Sequence, residues 1–228
     1  MLTDTSAVKP TCANIKSGIQ WLVNNCSAGD TLFFYYSGHG AQIQDANGDE
    51  ISRKDDVLVP LDYQTGGIIL DDYLNTNLAS MVPAGVSLWA FTDCCHSGTI
   101  LDLKYNINCN STYTKGSVVP TAYNNTDWTD QFSYGMQRAS DTKGDVYMFS
   151  GCLDQQTSAD AFISGQAQGA FTACFLQFIK DKCVDGKFNC TLGDMLKEID
   201  CLLAISKFQQ RSQLSIGRLE DINNNFSP

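Results

Sequence analysis

Histidine is scarce in this chain. Of 228 residues only His39 and His96 carry an imidazole, so chemistry that needs a base near neutral pH must run through one of them. Basic residues are also few: 15 Lys and Arg stand against 25 Asp and Glu, a net charge of −10. Phosphate binding needs clustered cations, so nucleic acid is excluded as an expected partner. No apolar run approaches the ~18 residues of a membrane span, and no membrane partner is expected. The opening MLTDTSAVKP lacks a charged stretch followed by an apolar one. It does not read as a signal peptide, and a cytoplasmic location is predicted. The 10 cysteines form no CxxC pair, and neither histidine sits at zinc-finger spacing, so no structural zinc is expected. Without an export signal they read as reduced, buried, small hydrophobes.

What is present has the alternation of an α/β sheet. Thr11 can cap a helix running to about Cys26, with Ile15, Ile19, Leu22 and Val23 on one face. Leu32 to Tyr36 and Val86 to Thr92 are near-continuous apolar runs, predicted as strands buried on both faces of a parallel sheet. Ala41 to Asp56 reads as a polar, acidic loop. Val57 to Leu61 is a short apolar piece, and Asp71 or Asp72 starts a helix toward Met81. Val146 to Phe149 is a third strand, Gly169 to Lys182 and Leu192 to Ala204 are helices, and Ser212 to Arg218 is a last strand. Residues 104–144, rich in Asn, Thr, Ser and Tyr without a clear period, read as a long surface connection. The organisation expected is one domain: 1–103, a linker at 104–144, and 145–228. Strands alternating with helices predict helices on both faces of the sheet.

Each histidine follows a predicted strand, in Ser37-Gly38-His39-Gly40 and Cys95-His96-Ser97-Gly98. Open α/β sheets build their sites just beyond the carboxyl ends of strands. A Cys and a His meeting there can form a thiolate–imidazole pair, a strong nucleophile with its base. Spacing leaves both histidines open as the partner of Cys95. Neighbours in sequence rarely meet in catalytic geometry, which favours His39. The acidity has two readings: a solvated surface, or a subset of Asp residues converging on a cation or a basic substrate.

The stretch Leu32-Phe-Phe-Tyr-Tyr-Ser-Gly-His-Gly followed by Asp93-Cys-Cys-His-Ser-Gly resembles the metacaspases, caspase-like cysteine peptidases. The likeness continues through Val57-Leu-Val-Pro-Leu-Asp62, Ile69-Leu-Asp-Asp72, Phe149 to Asp160 and Gln210 to Ser215. It implies a caspase-like sandwich: a mostly parallel central sheet flanked by helices. It implies a cysteine endopeptidase with His39 as base and Cys95 as nucleophile, and with the backbone amides of Gly40 and Cys95 turned toward the oxyanion. It also implies substrates cut after Arg or Lys, bound by Asp93, Ser158 and Asp160. Cys94 stands where the family varies and reads as a buried neighbour. His96 belongs to the motif without being the base.

The resemblance further implies stimulation by calcium, held by Asp55, Asp71, Asp72 and Asp102. Asp71 and Asp72 also suit the start of a helix. Asp45, Asn47, Gly48 and Asp49 look like part of an EF-hand loop, but its twelfth position falls at Asp56 instead of Glu, so none is expected. Self-cleavage is implied after Lys143, Arg138, Lys115 or Lys104. Two departures stand out. The family's usual opening strand–helix–strand would precede Met1, and Ser212 stands where the family often has Pro. A monomer is expected unless a second chain supplies the missing strands. The first departure motivates a rival reading, a catalytically impaired caspase-like scaffold or regulator. A third, a different Cys–His hydrolase of the legumain or gingipain kind, lacks the calcium aspartates and the Gln-Thr-Ser-Ala-Asp stretch.

Overall fold

A computed structural model describes residues 1–44, 54–110, 132–137, 139–152, 160–163, 166–184, 187–188 and 190–222. In chain order the elements are α1 (Cys12–Asn24), β1 (Thr31–Ser37), β2 (His39–Gln44), β3 (Lys54–Val59), α2 (Tyr63–Gly66), β4 (Ile69–Leu70), α3 (Asp71–Asn77) and a 3-10 turn at Ala79–Met81. Then come β5 (Ser87–Asp93), β6 (Tyr105–Cys109), β7 (Phe132–Met136), β8 (Asp145–Ser150), β9 (Asp160–Ile163), β10 (Gln166–Gly169) and α4 (Ala170–Lys182). The short strands β11 (Cys183–Val184) and β12 (Lys187–Phe188), helix α5 (Leu192–Ile205) and strand β13 (Gln213–Ile216) complete the described chain.

The main sheet has six strands in the order β1-β5-β8-β13-β6-β7. The first three are parallel, and β13, β6 and β7 add antiparallel pairs, so four of the six strands point the same way. The alternation of side chains along each strand feeds two cores. Leu88 and Ala90 of β5 and Val146 and Met148 of β8 pack with α1 and α3 through Ile15, Ile19 and Leu74, and with Leu78 just past α3. Trp89, Phe91, Tyr147 and Phe149, the residues between them, pack on the opposite face with Phe171, Phe175 and Phe178 of α4 and Leu196 and Ile199 of α5. Phe91 anchors that second core, 5.7 Å from Phe149 and 4.3 Å from Phe175 between ring centroids. Burying side chains of this kind contributes roughly 1.5–3 kcal/mol each.

Helix starts follow the sequence closely. Thr11 accepts a hydrogen bond from the Asn14 amide at 3.3 Å. Thr191 and Asp194 form a reciprocal capping box at the head of α5. Gly169 is the N-cap of α4, and α3 begins at Asp71.

Three expectations are corrected. Strand β1 is not buried on both faces: among the described residues it pairs only with β5 and forms the sheet edge, leaving Phe33 58% and Tyr35 43% exposed. The acidic loop is shorter than expected, because Ala41–Gln44 belongs to β2 and Lys54–Asp56 to β3, which pair antiparallel from His39↔Val59 to Gln44↔Lys54. Finally, 104–144 is not a bare connection, since it holds β6 and β7, both in the main sheet. One face of β6 packs Ile107 and Cys109 into the core, while the other buries Asn106, whose Oδ1 accepts from Ser215 Oγ at 2.9 Å, so its strand carries no simple apolar signal.

Candidate active site

The parallel register of β1 and β5 sets Ser37 opposite Asp93 at the sheet's carboxyl end. Just past those residues the chain turns into His39 on one side and Cys95 on the other. His39 opens β2 and is exposed, while Cys95 is half-buried in the turn after β5. The two segments touch through backbone. A Cβ placed on Gly40 would overlap the carbonyl oxygen of Cys95 and lie 3.2 Å from Cys94 Sγ, so only glycine allows this approach. The structure therefore brings the backbones of Gly40 and Cys95 together at one strand-end site, with His39 adjoining Gly40 in the chain. His96 follows Cys95 with φ of 52°, a left-handed conformation that turns the chain sharply away from the strand.

Tyr36 pins the histidine segment. Its hydroxyl lies 2.9 Å from the carbonyl oxygen of His39 and 3.2 Å from that of Val59, and Gly38 leaves the room it occupies. Burial, with a lesser contribution from Cys94, pushes the phenol well above its ordinary value, so it stays a donor. On the other side the Cys94 carbonyl accepts from Ser97 Oγ at 2.9 Å and from Cys152 Sγ at 3.1 Å. Burial pushes the thiols of Cys94 and Cys152 up, and both remain protonated. Both side chains are buried beside the Cys95 turn, as expected for Cys94.

Asp93 is buried at the end of β5. Its Oδ2 accepts from the Thr172 amide at 2.8 Å and from Thr172 Oγ1 at 2.6 Å, at the first turn of α4. Gly169 has no side chain because one would overlap this carboxylate. The backbone of Asp160 pairs with Gly169 in the β9–β10 hairpin, next to that helix start. Ser158 lies outside the described residues.

The acidic residues are spread over β3 of the second, three-stranded sheet β2-β3-β4 (Asp55), the head of α3 (Asp71 and Asp72) and the segment after Cys95 (Asp102). Asp55 and Asp71 are buried, and Asp72 and Asp102 are half-buried. Asp71 accepts from the amides of Asp56 at 2.5 Å and Asp72 at 3.0 Å, tying β3 to the head of α3. Asp56, not expected at the site, accepts from Gln42 and from Thr99, both at 2.9 Å, and so links the three-stranded sheet to the segment following Cys95. Asp102 has φ of 45°, and its carbonyl accepts from Asn75 at 3.0 Å. Carboxylate oxygens suit calcium chemically. Among the described residues, however, no three His, Cys, Asp or Glu side chains are arranged to hold a metal ion. Asp45, Asn47, Gly48 and Asp49 lie outside the described residues.

Of the four basic positions offered for self-cleavage, Arg138 and Lys115 lie outside the described residues. Lys143 is exposed in the bend before β8. Lys104 is held: its ammonium pairs with Asp141 at 2.9 Å and its carbonyl accepts from the Gln137 amide at 2.8 Å. Ser212, where Pro is frequent in the family, uses its amide and hydroxyl to donate to Asp200 Oδ1 at 2.7 and 2.8 Å, while Arg211 pairs with Oδ2 at 3.0 Å.

Residues 1–104 match a family model described as metacaspase, peptidase C14 domain. The chain is similar to Metacaspase-1 of Arabidopsis thaliana, 37% identical over 82% of this chain and 48% of that protein. It is similar to Metacaspase-1 of Coccidioides immitis, 36% identical over 94% of this chain and 51% of that protein. Metacaspase-3 of Trypanosoma brucei brucei is 35% identical over 96% of this chain and 58% of its own length. The chain thus spans about half the length of the curated relatives it matches. A solved structure of a Geobacter sulfurreducens protein shares the fold with a TM-score of 0.59 at 22% identity, covering 94% of this chain and 77% of that one.

Proposed function

The chain belongs to the metacaspase family, and from that premise we propose that it is a cysteine endopeptidase cutting after Arg or Lys, with Cys95 as nucleophile and His39 as base. The observation that carries this reading is the meeting of the Gly40 and Cys95 backbones at the ends of β1 and β5. His39 takes the thiol proton, and the thiolate attacks the scissile carbonyl carbon. The amides of Gly40 and Cys95 hold the oxyanion that forms. The intermediate collapses, His39 gives its proton to the leaving amine, and a thioester remains on Cys95. Water, deprotonated by His39, then hydrolyses it. A pair of oxyanion donors contributes several kcal/mol to such a step. Asp93 supplies the carboxylate chemistry that pairs with a basic side chain, and the resemblance adds Ser158 and Asp160 to that pocket.

The test compares fluorogenic peptides ending in Arg, Lys and Asp. Wild type cleaves the first two and spares the third, and Cys95→Ala and His39→Ala abolish the activity. Equal rates for wild type and Cys95→Ala sink the reading.

Calcium stimulation belongs to the same proposal. The resemblance and the carboxylate oxygens of Asp55, Asp71, Asp72 and Asp102 support it, and binding would have to draw together side chains that are not grouped for a metal among the described residues. Calcium should raise the rate and the melting temperature of wild type, and Asp72→Asn should lose both responses. Self-processing is read at Lys143, whose side chain is exposed, ahead of Lys104, whose ammonium is paired with Asp141; cleavage there must first release the flanking amides of Thr142 and Gly144, which donate to Gly217 and Val82. Mass spectrometry after incubation with calcium should find a new terminus at Gly144. An active, uncut chain refutes it.

A further inference from the structure

The strongest unassigned feature is a hydrogen-bonded chain that runs from the buried Asp93 to the exposed edge strand. Thr172 Oγ1 lies 2.6 Å from Asp93 Oδ2 and 2.9 Å from the Tyr35 hydroxyl. A carboxylate oxygen accepts, so the single threonine proton goes to Asp93. Thr172 must then accept from Tyr35, and the chain has one direction: Tyr35 donates to Thr172, which donates to Asp93. The Tyr35 oxygen keeps its lone pairs to offer outward, on a side chain that is 43% exposed.

The carboxylate is fixed from several directions. Thr172 binds Oδ2 twice, through its amide and its hydroxyl. Gly169 leaves the space that Asp93 fills, and a Cβ on Gly151 would approach Asp93 Oδ1 at 3.1 Å. Gly169 is the N-cap of α4, so the helix start itself sets the direction of Asp93.

The geometry points to Thr172 as the positioning residue of the basic-residue pocket and to Tyr35 as a second acceptor within it, selecting Arg over Lys. The inference rests on the reading of Asp93 as a substrate-binding carboxylate. A guanidinium is a planar fork with five donors and can serve two separated acceptors at once, whereas an ammonium is a compact point charge best served by one anion. A phenolic oxygen beside an anchored carboxylate suits the fork.

The experiment measures kcat and KM for matched peptides ending in Arg, Lys and citrulline, the neutral isostere of Arg, on wild type, Thr172→Val, Thr172→Ser and Tyr35→Phe. Thr172→Val should lower kcat/KM for Arg and Lys about tenfold through KM, the loss expected of one hydrogen bond to a carboxylate. Thr172→Ser should restore it. Tyr35→Phe should lower the Arg rate several-fold and leave the Lys rate within about twofold, collapsing the Arg-to-Lys ratio. A serine variant as poor as the valine one, or a tyrosine variant that slows both substrates equally, overturns the assignment. Wild type that cuts citrulline and Arg peptides equally overturns the pocket reading itself, and the assignment with it.

Discussion

Replacing Gly40 with alanine tests the contact on which the site is built. Gly40 does not adopt a positive φ, so alanine brings no backbone strain of its own. Its cost comes from the neighbour. The added Cβ would overlap the Cys95 carbonyl oxygen and press on Cys94 Sγ at 3.2 Å. The first of these is backbone, which cannot rotate away, and the second is buried. Either β2 or the Cys95 turn must move. Overpacking of this kind costs about 1–3 kcal/mol. In a chain of this size each kcal/mol lowers the melting temperature by about 2–4 °C. The loss of activity should be larger, because a displacement of about 1 Å between reacting groups can cost ~100-fold in rate. Gly18→Ala is the control: nothing lies within 4 Å of its Cβ in the interior of α1, so it should stabilise the chain by up to about 1 kcal/mol and leave cleavage unchanged. The assays are thermal melts and kcat/KM on an Arg-terminated peptide. A Gly40→Ala protein that melts and cleaves like wild type refutes the argued contact.

Three further outcomes are expected. Ser212→Pro removes the amide and the hydroxyl that donate to the buried Asp200 carboxylate, so urea unfolding should show a loss of about 1–3 kcal/mol or more; an unchanged midpoint would refute the role given to Ser212. Thr191→Ala opens the capping box of α5 and should cost about 1 kcal/mol, read as a small drop in melting temperature, with a normal melt counting against the cap. Burial pushes the Cys174 thiol up to about 11. The folded state then holds a proton that the unfolded chain releases, so this contribution is complete below the ordinary thiol value of ~8.5 and is lost as pH rises toward 11. Urea midpoints should fall between pH 8 and pH 10, with a shallower fall in Cys174→Ala; identical slopes would count against the linkage.

The parts of the fold that bury apolar side chains were legible in the sequence. Strands β5 and β8 carry them on both faces, and α1, α4 and α5 carry them in stripes, so the pattern of apolar residues located all five. Strand β1 was found for the same reason but misjudged, because Phe33 and Tyr35 are as apolar as core residues and yet face outward at an edge. Strand β2 and the first half of β3 were hidden by polar residues that the fold satisfies internally: Asp56 is buried but accepts from Gln42 and Thr99. Strand β6 was hidden likewise by Asn106. At the site, strand-end glycines flagged His39 and Cys95, whereas Thr172 lies far along the chain from Asp93 and carries no local signal. Only the packing of α4 against β5 brings those two residues together.

The order of strands in the main sheet also decides what a cut can do. Suppose the backbone is severed in the bend at Lys143. The first piece then owns β1, β5, β6 and β7, and the second owns β8 and β13. The second piece's two strands lie side by side in the middle, clasped between β5 and β6 of the first. The halves are threaded like interlaced fingers and cannot part unless two rows of backbone hydrogen bonds break together. A nicked molecule should therefore run as two bands under denaturing conditions and as one particle in solution, severed in covalent terms and still whole in shape.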